Sequence, residues 1–148
     1  GYYIGENNHE TGFKETFKTF RIAIKGVLLV ALVINALSFV LFPIFTSNQD
    51  VIDLARMMLL MAFFVETGRT LNLIFISALR TAGDVRYPLV MGMISMAVMG
   101  VGMSYIFAIV LGFGLIGVFI GFALDELTRG LLNMLKFKSK AWYQIKLT

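Results

Sequence analysis

The 148-residue chain has no cysteine, two prolines, one histidine and only 15% charged residues. Each shortage excludes something. Without cysteine there is no disulfide framework and no thiolate metal site, and the redox state of the compartment stays open. Soluble domains carry about 25% charged residues. With 58% hydrophobic residues and a mean hydropathy of +0.82, this chain is not a water-soluble enzyme, a nucleic-acid reader or a disordered linker. The bilayer is the solvent that suits it. A lone histidine gives no zinc-binding pair, and no HExxH, GxSxG, P-loop or CxxC motif occurs. No enzyme and no cofactor are expected. Asp125 and Glu126 are adjacent, so on a helix they point about 100° apart and do not form a convergent acid pair.

What is present is four long apolar runs, at about 22–45, 54–79, 88–111 and 115–135. Each reaches the roughly 20 residues that cross a hydrocarbon core as a helix. The breaks have mechanism: Pro43 followed by the polar Thr46, Ser47 and Asn48, then Gly83-Asp84 as a helix stop, Pro88 at a start, and Gly112 and Gly114 in the last connection. No signal peptide, repeat or low-complexity tract is expected. The fold class is therefore all-α integral membrane, with four transmembrane helices. Residues 1–21 read as a cytoplasmic amphipathic lead-in with Phe13, Phe17 and Phe20 at helical spacing, 22–135 as the transmembrane region, and 136–148 as a basic cytoplasmic tail. The start at Gly1, in loop-like sequence, suggests a fragment.

Orientation follows from the basic residues. Lys14, Lys18, Arg21, Lys25, Arg80, Arg86, Lys136, Lys138, Lys140 and Lys146, ten of the thirteen, fall on one side of the four runs. By the positive-inside rule both ends and the 80–88 loop face the cytoplasm of a multi-pass protein in the plasma or inner membrane. The net charge of +4 is then a topology signal rather than a nucleic-acid footprint. Trp142 and Tyr143 between lysines suggest an interfacial anchor, and His9 is expected simply to be solvated.

Five ionisable residues sit inside the runs: Glu66 and Arg69 in the second, and Asp125, Glu126 and Arg129 in the fourth. Facing lipid, each would cost about 2.5–3.5 kcal/mol at the bilayer centre, so they face protein or a water-filled cavity. Glu66 and Arg69 are three residues apart, Asp125 and Arg129 four, the spacings of intrahelical ion pairs. Three acids against two bases leave one carboxylate over. A buried carboxylate with no guanidinium takes a proton or binds a cation, as ion-coupled transport requires. Glu66 and Asp125 are the expected carriers, with Arg69, Glu126, Arg129 and Asn72 as the surrounding charge network. Gly100, Ser104, Ala108 and Gly112, continued by Gly117 and Gly121, form a small-residue stripe that suits close helix packing. Asn35, Ser38, Thr67, Thr70 and Ser77 add hydrogen-bonding groups at membrane depth.

Three blocks, Glu66-Thr67-Gly68-Arg69-Thr70-Leu71-Asn72, Ala78-Leu79-Arg80-Thr81-Ala82-Gly83-Asp84-Val85-Arg86-Tyr87-Pro88 and Ala123-Leu124-Asp125-Glu126-Leu127-Thr128-Arg129-Gly130, occur in this order. Together they resemble the last third of a multidrug and toxic compound extrusion (MATE) transporter. The resemblance implies a twelve-helix, two-lobed protein exporting cationic or amphipathic drugs in exchange for sodium ions or protons, with these four helices as its last. Its partners would be the bilayer, the remaining helices of the full-length transporter and the small substrates, with no nucleic acid. The sequence departs from the family in one respect: Arg69 stands where an acidic cation ligand is expected, with Glu66 a turn away. The segment Arg80, Gly83, Asp84, Arg86 and Pro88 is expected to be a cytoplasmic hinge. Two other readings are a related flippase for lipid-linked saccharides and a self-standing four-span protein with an assembly role.

Overall fold

The lead-in and the first apolar run form one helix. In a computed structural model, which describes residues 8–144, α1 spans His9–Phe45 without interruption. Asn8 caps it by accepting from the Thr11 N–H at 3.3 Å. Pro43 lies inside the last turn, and the helix ends at Thr46, whose backbone is extended. Asn48 then caps α2 (Gln49–Thr81), its side chain accepting from the N–H groups of Asp50 and Val51. Helix α3 (Arg86–Val110) and helix α4 (Gly114–Lys138) follow, and a 3₁₀ turn, Ala141–Gln144, closes the described chain. Among the described residues every regular element is helical. Residues 1–7 of the expected lead-in and 145–148 of the expected tail, Lys146 among them, lie outside the described residues.

Helices α1, α2 and α3 are long and apolar enough to cross a membrane. Helix α4 has the length, 25 residues, or about 37 Å at 1.5 Å per residue. It carries Asp125, Glu126 and Arg129 at its middle, so its place in a bilayer depends on burying them.

The four helices pack in an order that differs from their order in the chain. Helices α2 and α4 form the most extensive contact, with α1 against α2 and α3 against α4. Successive helices are joined by three- or four-residue turns and reverse direction, so α2 and α4 run parallel. Glycine makes that approach possible. A Cβ on Gly68 would lie 2.8 Å from the Leu127 backbone nitrogen, too close to be accommodated. Across the α3–α4 seam, a Cβ on Gly121 would lie 2.7 Å from the Ser104 nitrogen. The small-residue stripe thus does what its spacing suggests: Gly100 meets Asp125, Ser104 meets Gly121 and Ala108 meets Gly117. Gly112 is the exception, sitting in the α3–α4 turn at φ +73° with nothing against it.

Helix α3 winds more loosely than an α-helix over Met96–Met103 and Ile106–Val110, where its hydrogen bonds run to the fifth residue. A strict four-residue stripe drifts around a helix of 3.6 residues per turn. The wider turn compensates, so Gly100, Ser104 and Ala108 stay on the line of contact with α4.

The largest apolar core lies at one end of the bundle. Leu71, Phe75, Leu79, Ala82, Phe137 and Trp142 are buried together, with Phe13, Phe17 and Phe20 of α1 packed against them. Phe13 stacks on Phe137 at 5.6 Å between ring centroids, and Phe17 meets Phe75 edge-on at 5.2 Å. Here two expectations are corrected. Trp142 is no interfacial anchor: it is 1% exposed, stacked on Phe137, and donates its indole N–H to the Phe137 carbonyl at 2.9 Å. His9 is not simply solvated, because its ring stacks on Tyr143 at 5.0 Å and meets Trp142 edge-on. The Tyr143 hydroxyl donates to the His9 carbonyl at 3.3 Å. Burial first, and then the Glu10 carboxylate, push that phenol above its ordinary pKa.

Candidate functional site

The parallel packing of α2 and α4 brings together all five charges expected within the spans. Arg69 Nη1 donates to Glu66 Oε1 at 2.6 Å, closing the three-residue pair on α2. Arg129 pairs with Asp125 across one turn of α4. Glu126 belongs to neither arginine alone. Its Oε1 lies 3.8 Å from Arg69 Nε and 3.8 Å from Arg129 Nη2, while its Oε2 accepts from Asn72 Nδ2 at 3.0 Å. The fourth-helix residue assigned to the network rather than to coupling is thus its hub.

Exposure separates the acids. The side chain of Glu66 is 48% exposed, that of Glu126 17% and that of Asp125 6%. Asp125 gains a second partner, the hydroxyl of Ser95 on α3, which donates to its Oδ1 at 2.6 Å. Gly100 lets α3 lie against the same carboxylate, its Cβ position 3.6 Å from Asp125 Cγ. A cavity of about 280 Å³ opens onto the cluster, lined by Arg69, Asp125, Glu126 and Arg129 with Val65, Met96 and Phe122 among its apolar walls. Glu66 turns the other way, to the edge of an apolar groove between α1 and α2 formed by Gly26, Val30 and Ile34 among others.

The network extends along the seam toward the aromatic core. Asn133 Nδ2 donates to Asn72 Oδ1 at 2.9 Å, linking Asn133, Asn72 and Glu126 in one chain of hydrogen bonds. Two of its atoms, Arg129 Nε and Asn133 Oδ1, are buried without a partner. Such groups are uncommon in protein interiors, and here they leave one donor and one acceptor unused within the network. Ser95 and Asn133 escaped the sequence reading. Asn133 was findable, since it lies one turn beyond Arg129 on the Glu126 face. Ser95 had no signal, because its partner is on another helix.

Most of the other sequence-flagged polar groups on α1 and α2 bond within their own helices. Asn35 donates to the Ala31 carbonyl, Ser38 to Asn35, Thr67 to Phe63, Thr70 to Glu66 and Thr81 to Ser77. Of the sequence-flagged polar groups on α1 and α2 outside the charges, only Asn72 reaches across to another helix.

The 80–88 segment is a well-fastened turn. Gly83, at φ +89°, supplies the left-handed residue that lets the Asp84 N–H reach the Leu79 carbonyl at 2.9 Å. Asp84 Oδ1 accepts from the Tyr87 N–H at 3.2 Å and opens α3, while its Oδ2 lies 3.8 Å from Lys136 Nζ on α4. Pro88 is fully buried, and Arg80 and Arg86 are exposed. The turn and the end of α4 are therefore one unit.

Apolar helices of spanning length, with ionisable groups gathered inside them at mid-helix, define a multi-pass α-helical membrane protein. The MatE family model matches residues 1–106, and the chain belongs to that family. The family resemblance carried by the three sequence blocks is thereby borne out. The chain is also 35% identical over 144 residues, 97% of its length, to the uncharacterized transporter YisQ of Bacillus subtilis (strain 168). It spans 32% of the length of that relative. No solved structure matches it.

Proposed function

We propose that the chain is part of an ion-coupled antiporter that exports cationic or amphipathic drugs across the plasma or inner membrane, with both of its ends on the cytoplasmic side. One observation carries the reading: three carboxylates and two guanidiniums share one mid-bundle cluster, which holds one negative charge more than its arginines neutralise. An uncompensated charge at that depth is costly. A proton or sodium ion neutralises it, and so does a cationic drug. The two neutralise the same charge and so exclude one another, which is the requirement for exchange. Glu66 and Asp125 remain the proposed carriers. Glu126, held by both arginines and by Asn72, is the group through which neutralising one changes the other. Alternating access would come from rocking of this helical unit against the remaining helices of the full-length transporter, with the Arg80–Pro88 turn moving together with the end of α4.

The test uses the full-length protein in vesicles under an imposed pH or sodium gradient. Addition of a cationic dye is expected to dissipate the gradient, and Glu66→Gln, Asp125→Asn or Glu126→Gln to abolish the dissipation. No dissipation by any cationic drug, from protein shown to be folded, would sink the exporter reading in favour of a flippase for lipid-linked saccharides.

A further inference from the structure

A second cavity, of about 460 Å³, lies far from the charge cluster, where the start of α1 meets the end of α4. Phe13 and Phe17 line it together with Lys14, Lys18, Arg21 and Lys138. We infer that this groove binds the phosphate headgroup of an anionic phospholipid.

Charge is the first argument. Four cations line the groove and no carboxylate does. Lys14 and Lys18 touch Glu10 and Glu15 only at 3.6 and 3.5 Å, with lysine side chains 74% and 66% exposed. Such pairs hold little free energy and exchange easily for a better anion. Arg21 and Lys138 have no carboxylate within ion-pair distance among the described residues.

The second argument is the lining. Lys14, Lys18 and Arg21 follow one another at four and three residues, one face of α1, and Phe13 and Phe17 form the adjoining face. The rings are held by Phe137 and Phe75, so the groove has a fixed apolar floor under a basic rim. A free inorganic phosphate would use only the rim. A phospholipid uses both, its phosphodiester on the lysines and its glycerol ester region on the rings.

The third argument is level. Beyond Lys25, about 6 Å further along α1 than Arg21 at 1.5 Å per residue, no charge appears before Asp50, and most apolar side chains of that stretch are exposed. The groove therefore opens where the helix passes from water to hydrocarbon, the height at which basic pockets bind acidic lipids. This inference does not depend on what the protein exports.

Native mass spectrometry of the full-length protein, offered equal amounts of phosphatidylglycerol and phosphatidylcholine, tests it. We expect one phosphatidylglycerol retained with at least about tenfold preference, and near-parity when Lys14, Lys18, Arg21 and Lys138 are all replaced by glutamine. Arg80→Gln/Arg86→Gln, which removes charge at the same end but outside the groove, should keep the preference. Equal retention of both lipids by the native protein would overturn the inference, as would an unchanged preference in the fourfold variant or an equal loss in the control. Displacement of the lipid by millimolar inorganic phosphate would reassign the groove to a soluble anion and also overturn it.

Discussion

The α2–α4 seam is built in two different ways along its length. At its middle, glycines bring backbones into contact around charges and amides, and specific pairings hold the helices in register. At one end the contact is made chiefly by rings: Phe75 of α2, Phe137 of α4 and Trp142 of the closing turn, clasped by Phe13, Phe17 and Phe20 of α1. In lipid there is no hydrophobic driving force between helices. Stability must there come from close packing and hydrogen bonds, and polar groups can be kept in the interior for chemistry. The ring cluster stands among Lys14, Lys18, Lys136, Lys138 and Lys140, where water competes, and there apolar burial is strong. The same helix pair is thus fastened by rings at its lysine-flanked end and by backbone contact and polar pairing at its centre.

The largest loss of stability is expected at the ring end. Phe137→Ala removes a fully buried ring that stacks on Trp142 and Phe13. It should cost about 3–5 kcal/mol, read as a fall in the midpoint of thermal unfolding in detergent. The molecules that remain folded should still dissipate an imposed gradient. A variant as stable as the native protein would show that the aromatic end is not the fastening.

Next in size is the α3–α4 seam. Gly121→Val puts a branched side chain where even a Cβ lies 2.7 Å from the Ser104 backbone. Overpacking of this kind costs about 1–3 kcal/mol and forces α3 away from α4. Because Ser95 and Gly100 bring α3 onto Asp125, transport should fall together with stability. Gly26→Val, at a glycine with nothing within 4 Å, is the comparison and should leave the unfolding midpoint within about 0.5 kcal/mol. Equal effects would mean that the seam is looser than its geometry indicates.

The contrast between the two ends also marks what could be read in the sequence. Helices, turns and the small-residue stripe are local or periodic, and hydropathy, Asn48, Gly83 and the spacing of Gly100, Ser104 and Ala108 announced them. The five charges within the spans were legible for the same reason, since a charge in an apolar run must be accounted for. Their wiring was not. Intrahelical spacing paired Glu66 with Arg69 and Asp125 with Arg129, both present in the structure, but it could not show Glu126 between the two arginines. That depends on α2 and α4 being parallel neighbours at the register set by Gly68. Trp142 was misread because lysine-flanked aromatics resemble a membrane anchor, and only the fold places Phe137 beneath it.

Within the polar centre, Asn133→Leu should cost about 1 kcal/mol. It removes one buried acceptor that has no partner but leaves Asn72 Oδ1 without its donor. The check is the unfolding midpoint together with the gradient assay: stability should fall slightly, while transport falls more, because Asn72 then holds Glu126 less firmly. Equal proportional changes would make the amide chain a structural rivet and no part of the coupling network.

The smallest expected change in stability is at Glu66, and it divides the molecule most sharply. Its carboxylate is about half exposed, and its one ion pair joins residues of the same helix. Pairs of that kind contribute at most about 0.5 kcal/mol, so Glu66→Gln should unfold at nearly the native temperature. It nevertheless removes the cluster's surplus charge, leaving two carboxylates for two guanidiniums. Nothing then remains for a proton or sodium ion to neutralise, and dye-driven dissipation should disappear. Full dissipation in Glu66→Gln, with loss in Glu126→Gln, would place the exchangeable charge wholly on α4. Arg69 would then serve Glu126 alone, and the exchangeable part of the cluster would shrink to a single helix facing the cavity.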